Sequence, residues 1–460
     1  MLSFRQVIKM IETKAISAVI GGTLILISLA IDYSYANLST YAVSYLRSKE
    51  YSVTYADWIY VTITQFLMQS TLMPITGILE RKIGTRLCII LGSLVYSLSL
   101  ASTYFLIDYG LPALIYSLCI AHGIGFSLMY TQTIGCILKW FLNGNQGLMS
   151  SIAIGGYGFG SIIWIPLQTQ FVNPHNLEAE PEDPNDPDSD KYFTDPTILE
   201  KIPKLFVLMA GMILSLEILG FILMNPPKIK EIEEKNVDKE NVKDRSIKET
   251  LKMKEFWCLW TYLMAIRMSA TFFLTYGKSF GLKYINDDSF FSYIGIVNNV
   301  LNGSSRIIWG KLYDWKGFKV NSYFVAILPA LASMAVNLLV YIPAENEVGN
   351  KLLFGTLSAI FFAVNPGVYP IIAPTIQATF GHLNFARDYG MIFTQSVRIF
   401  LVPKSNISNL AFQLLGGILL IFVRLFLQEA IGYSGLFLLS GLFGLIAIIA
   451  SWLFRESNHS

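Results

Sequence analysis

Charge is scarce in this chain. Asp, Glu, Lys and Arg make up only 14% of its 460 residues, against about 25% in soluble globular domains. The net charge of +2 excludes the dense Lys/Arg face of a nucleic-acid binder. Four cysteines, Cys88, Cys119, Cys136 and Cys258, lie in or beside apolar runs without CxxC or Cys/His spacing, so they read as small buried hydrophobes rather than disulfides or metal ligands. The sequence has no GxxxxGK[ST] loop for ATP, no nucleophile/base arrangement and no metal cluster, which leaves no basis for an enzyme or for a cofactor. What is plentiful is oil: 53% hydrophobic residues and a mean hydropathy of +0.50. A soluble chain of that composition would need an implausibly large dry core.

The apolar residues fall into long runs. A membrane helix needs about 20 of them to cross about 30 Å of hydrocarbon, and that ruler predicts spans near residues 16–40, 56–78, 87–107, 112–138, 147–170 and 205–224, then near 256–280, 291–313, 322–342, 352–376, 390–427 and 433–454. The expectation is an all-α membrane protein of twelve helices in two groups of six. The first run follows Arg5, Lys9 and Lys14 and is too long for a signal-peptide core, so it counts as a span.

Between the groups lies the most polar stretch, Lys228 to Lys254, whose mixed charges read as a solvated linker with room for a short surface helix. The predicted organisation is a bundle at 1–224, a charged linker at 225–254 and a second bundle at 255–460. Basic residues before span 1, after span 2 and after span 8 collect on the linker's side, which the positive-inside rule makes cytoplasmic, with both termini. The acidic, proline-rich loop at 178–190 falls on the other side and reads as an extended solvent loop; it lacks the glycine and spacing of a calcium loop. Asn37-Leu38-Ser39 is a glycosylation sequon too close to span 1 to be used.

A repeat joins the halves. After span 2 the chain reads Gly77-Ile78-Leu79-Glu80-Arg81-Lys82-Ile83-Gly84-Thr85-Arg86; after span 8 it reads Gly310-Lys311-Leu312-Tyr313-Asp314-Trp315-Lys316-Gly317-Phe318-Lys319. Both have Gly at positions one and eight, Leu at three, an acid at four or five and a base at the end. Two such turns at matched places imply an internal duplication. The first glycine lets helices touch, the acid can meet a neighbouring helix end, and the bases suit helix carbonyls.

These turns resemble motif A of the major facilitator superfamily, a loop written roughly G-x-L-x-D-R-x-G-R-R/K; the second copy keeps Asp314, and the first has Glu80 next to Arg81. Trp140-Phe141, Gly147, the stretch 155–174, Glu255 to Trp260, Asn302 to Arg306 and Asp388-Tyr389-Gly390 resemble the oxalate:formate antiporter family, relatives of the monocarboxylate porters. The resemblance implies the major facilitator fold, two six-helix pseudo-repeats, and alternating access. Glycines 155, 156, 158 and 160 in span 5 suit close helix contact, sliding or static. Pro366, Pro370 and Pro374 in span 10 predict a helix bent around a cavity or a kinked scaffold helix.

An ionisable side chain at membrane depth is costly and invites a functional reading. Asp32, His122, Glu217, Arg267, Arg306 and Arg424 qualify, with Arg398 and Lys404 at the margin. Arg306 leads: four residues before Gly310, about 6 Å along the helix, its planar fork of donors matches a carboxylate. The resemblance implies that it binds the substrate carboxylate; the alternative is an internal bridge. Asn302 stands where the monocarboxylate porters have an aspartate linked to proton coupling. A proton carrier would then be Asp32, Glu217 or His122, each also readable as an interhelical hydrogen-bonding residue. Ser396, beside Gln395, stands where the oxalate:formate antiporter has a lysine. One fixed cation favours a monoanion, unless Arg267 or Arg398 supplies a second. Residues 397–413 interrupt span 11 with a polar stretch containing Pro403 and Lys404, read as an insertion, a retained intron or a broken helix.

The expected function is transport of small organic anions, monocarboxylates first, with the bilayer as environment and a proton as candidate co-substrate. A non-transporting receptor on the same fold, or a carrier of amino acids or other neutral solutes, are the alternatives.

Overall fold

The computed structural model describes residues 4–142, 144–182, 190–227, 245–285, 287–343, 346–394 and 428–455. Gln395, Ser396, Arg398, Lys404, Arg424 and the suspected insertion at 397–413 lie outside them. Nine helical segments among the described residues are long and apolar enough to cross a membrane, from Glu12–Ser48 to Ser434–Leu453. Helix Trp58–Ile83 stands at expected span 2 and helix Phe385–Phe393 at the start of expected span 11.

Several expected spans are interrupted rather than continuous, each at an identifiable feature. Helix Phe4–Leu29 gives way to a 3-10 turn, Ala30–Ser34, before helix Tyr35–Ser48. The fourth span carries a π-helical segment, Tyr116–Ala121, immediately before His122; such bulges often accompany functional sites. The glycine-rich fifth span breaks at Phe159 (φ −82°, ψ −3°), between helices Gln146–Gly158 and Gly160–Val172. Span 10 starts in helix Glu347–Val364, is interrupted by the 3-10 turn Asn365–Gly367 and continues as helix Val368–Phe380 with Pro374 inside it, because prolines remove amides that a regular helix would use.

The chain divides into two compact units, residues 1–133 with 159–226, and residues 134–158 with 227–460. In the first, Gly21 and Gly220 make one close backbone approach: a Cβ on Gly21 would lie 2.5 Å from the Gly220 carbonyl oxygen, and one on Gly220 would lie 2.7 Å from that of Gly21. The Trp164 indole donates to the Ile27 carbonyl at 2.9 Å, and the Asn37 amide donates to Gln168 at 3.0 Å. The flanks of the acidic loop are not merely extended. Glu180–Pro181 and Lys191–Tyr192 pair as an antiparallel ribbon, with Tyr192 stacked on Tyr55 at 4.9 Å and beneath the Arg47 guanidinium at 4.2 Å. Arg47 also pairs with Glu182. Aromatic burial thus recovers order that the prolines and acids of the loop concealed, and it pushes the Tyr192 hydroxyl up to about 12.

In the second unit an aromatic core joins Phe273 to Phe361 at 4.4 Å and Phe291 to Phe354 at 5.1 Å. The end of the linker is ordered: Ser246 caps helix Ile247–Lys252 through a capping box with Glu249, and bonds from the Ser246 amide and hydroxyl hold the Glu249 carboxyl below its usual range. Arg387, buried and paired with Asp388 at 2.7 Å, donates to the Arg245 carbonyl at 2.9 Å and ties this end down. All four cysteines are buried, and none is in a disulfide.

Candidate functional site

Arg306 sits on the long helical segment Asp288–Ala335 and is 1% exposed. One turn earlier, Asn302 accepts from its Nε at 3.1 Å. Its Nη1 donates to the Ile154 carbonyl at 3.2 Å. The guanidinium lies over the ring of Tyr369, 4.9 Å from its centre, and 5.8 Å from that of Tyr157. The glycine facet of helix Gln146–Gly158 makes this packing feasible: a Cβ on Gly158 would lie 2.9 Å from the Arg306 Nε and 3.0 Å from the Gly303 Cα. Arg306, Asn302 and Arg267 therefore form one neighbourhood, because the Arg267 Nη1 donates to the Tyr369 hydroxyl at 3.3 Å.

Tyr369 is the residue that sequence reading did not single out. Its signal was present in the run NPGVYPIIAP, where it sits between Pro366 and Pro370. The turn holds it against the Arg306 helix: a Cβ on Gly367 would reach 2.5 Å from the Trp309 ring, and the Trp309 indole donates to the Ala363 carbonyl at 3.0 Å. Phe393 lies 6.4 Å from the Tyr369 ring and stacks on Tyr389 at 4.4 Å. Next along the chain, Thr394 accepts from the Trp260 indole at 3.4 Å.

The first unit holds the candidate proton groups in two separate settings. His122 is fully buried, stacked on Tyr96 at 3.6 Å between ring centres, with its Nε2 3.5 Å from Asp32 Oδ1. Neither ring nitrogen has a hydrogen-bond partner among the described residues. Asp32 accepts from Gln69 at 2.7 Å. Glu217, 1% exposed, accepts from three hydroxyls instead: Ser28 at 3.1 Å, Ser93 at 2.6 Å and Ser97 at 3.0 Å. That set ties three stretches of chain together, which is what a structural carboxylate does.

The two repeat turns share a backbone device. Gly84 and Gly317 both sit at positive φ, 85° and 72°, where a glycine is favoured. In the second copy, Asp314 accepts from the Gly147 and Leu148 amides at 2.7 and 2.8 Å, across the first turn of helix Gln146–Gly158, as suits the positive end of a helix. In the first copy, Glu80 accepts from the Thr85 hydroxyl at 2.5 Å. Arg86 donates to Asn225 at 3.0 Å and lies 4.6 Å from the Phe221 ring centre. Gly77 is buried, and Arg81 is exposed.

The sequence matches the family model of the Major Facilitator Superfamily over residues 23–400. It is 24% identical to the Apicoplast pyruvate carrier 1 of Toxoplasma gondii, over 82% of this chain and 80% of that protein. It is 23% identical to the oxalate:formate antiporter of Oxalobacter formigenes, over 71% of this chain and 69% of that one. Among solved structures, the E. coli fucose:proton symporter superposes with a TM-score of 0.65 at 14% identity, covering 96% of this chain and 98% of that one. A proton:xylose symporter does so with a TM-score of 0.64 at 12% identity, covering 96% and 95%. At these identities the structural likeness speaks for the fold.

Proposed function

We propose, starting from the fact that this chain belongs to the Major Facilitator Superfamily, that it carries small organic anions, monocarboxylates first, with Arg306 as the residue that meets the substrate carboxylate. The observation that carries this reading is the buried Arg306 guanidinium, a charge in an apolar span of a multi-pass membrane transporter. It lies on the face of Tyr369, with Asn302 and a backbone carbonyl setting its orientation. A guanidinium over an aromatic face is held by the ring's electrostatics, and a desolvated guanidinium is a strong partner for a carboxylate. Low-identity relatives named for pyruvate and for oxalate and formate support the same substrate class.

The same reading assigns proton coupling to Asp32 and His122, whose mutual distance changes meaning when the imidazole takes a proton, and gives Glu217 a structural part. Asn302 orients Arg306. The N-terminus, linker and C-terminus face the cytoplasm, by the distribution of Lys and Arg. The Asn302 bond to Arg306 also fits an internal bridge in a carrier of neutral solutes.

Uptake by reconstituted liposomes separates these readings. Labelled pyruvate, lactate, formate or oxalate should accumulate, Arg306→Lys should cut uptake about tenfold by losing the fork while keeping the charge, and Arg306→Ala should abolish it. His122→Gln should remove stimulation by an inward proton gradient. No anion flux, or flux indifferent to Arg306→Ala, would sink the anion reading; gradient stimulation surviving His122→Gln would sink the coupling assignment.

A further inference from the structure

We propose that Arg267 is a second anion-reading cation, held in place by Tyr369, and that it extends the range of the Arg306 site from monocarboxylates to short dicarboxylates. The inference rests on the anion reading and narrows it. The sequence left open whether Arg267 or Arg398 adds a second cation to Arg306, since Ser396 stands where a lysine would have supplied one. The geometry offers two. One tyrosine serves both: its ring face underlies the Arg306 guanidinium at 4.9 Å, and its hydroxyl accepts from Arg267 Nη1 at 3.3 Å.

The elements that bring them together are separate in the chain. Arg267 comes from helix Lys254–Gly281, Arg306 from the segment Asp288–Ala335, and Tyr369 from the first turn of helix Val368–Phe380. Tyr369 is a positioning residue with little freedom, since the Pro366-Gly367 turn beside it packs on Trp309 of the Arg306 segment. Arg267 is half-buried and makes no ion pair among the described residues. Its bond to Tyr369 uses one of five N–H donors, so its charge is not neutralised. Two like charges gathered on one aromatic side chain repel each other in a poorly screened setting. A ligand with two carboxylates relieves that repulsion at both ends, whereas a monoanion relieves it at one.

Charge-assisted contacts of this kind are worth about ten- to hundredfold in affinity. The test is competition against labelled pyruvate uptake in liposomes by formate and pyruvate on one side and by oxalate and malonate on the other. The readout is the ratio of half-inhibitory concentrations, dicarboxylate over monocarboxylate, which a merely structural role would leave unchanged. Both classes should inhibit the wild type. Arg267→Gln should raise the ratio at least tenfold, Arg267→Lys should hold it within about threefold of wild type, and Tyr369→Phe should raise it by less than Arg267→Gln does. If Arg267→Gln cannot be reconstituted, Tyr369→Phe carries the test by itself. Dicarboxylates that fail to inhibit the wild type, or a ratio unmoved by both substitutions, would overturn the assignment while leaving the Arg306 reading intact. Absence of anion uptake in every arm, wild type included, would remove the Arg306 reading, and this one with it.

Discussion

The two copies of the repeated turn share a pattern of residues and part company in what their acids do. In the second copy, Asp314 spans two amides in the first turn of helix Gln146–Gly158; in the first, Glu80 accepts from Thr85 within its own turn. The acids stand at positions five and four of the pattern, and on a helix one residue is a rotation of about 100°. Position five of the first copy is Arg81, so the place that bears a carboxylate in one half bears a cation in the other. A Cβ on Gly310 would collide with the Gly147 carbonyl and the Ser151 side chain, so the first glycine of the second copy is a point of helix contact. The eighth glycines, in contrast, are alike, at φ of 85° and 72°. A duplicated motif has therefore kept its turn and changed its partners.

The largest effect that would sharpen this comparison is expected at the helix contact. Gly310→Ala forces backbone apart from backbone and should cost about 3 kcal/mol, read as a large fall in melting temperature in detergent. A variant melting like the wild type would mean that the approach is not close in solution. Next comes the cap. Asp314→Asn should cost about 1–2 kcal/mol, since it removes a full charge bonded at a helix N-terminus, while Glu80→Gln should cost about 0.5–1 kcal/mol, the worth of an ordinary hydrogen bond. Equal losses would break the distinction between the copies. The smallest difference belongs to the eighth position: Gly84→Ala and Gly317→Ala should each cost about 1–3 kcal/mol, because both hold positive φ with extended ψ, a region nearly confined to glycine. A gap of more than about 1 kcal/mol between them, measured the same way, would show that the turns are not equivalent after all.

Much of the architecture was legible because membrane helices are specified locally. Length and apolar content alone located the segments that the structure shows as long apolar helices. The interruptions were less legible. The π-helical segment before His122 and the break at Phe159 depend on how neighbouring helices pack, and no proline marks the first. The ribbon over the acidic loop was hidden because its order comes from Arg47 and Tyr55, more than a hundred residues away from Tyr192.

The site was legible in a similar proportion. The rarity of charge at membrane depth is a property of composition, and it was enough to single out Arg306, Arg267, Asp32, His122 and Glu217. Their partners are properties of the folded chain. Three serines from two other helices converge on Glu217, and serine is too common in such helices to be picked out beforehand.

By itself, then, the sequence determined that this is a multi-helix membrane protein with a duplicated turn and a handful of charges at membrane depth, since each of those rests on local composition and spacing; transport came from its resemblance to the major facilitator superfamily. Only the tertiary structure decided that Asp314 caps a helix beginning at Gln146, that Glu217 is bound by hydroxyls, and that Arg267 and Arg306 meet on the two faces of recognition that one tyrosine offers, its ring and its hydroxyl. Those meetings join residues from 63 to 189 positions apart, and a pairing across that distance is set by how helices pack, not by the period of any one of them.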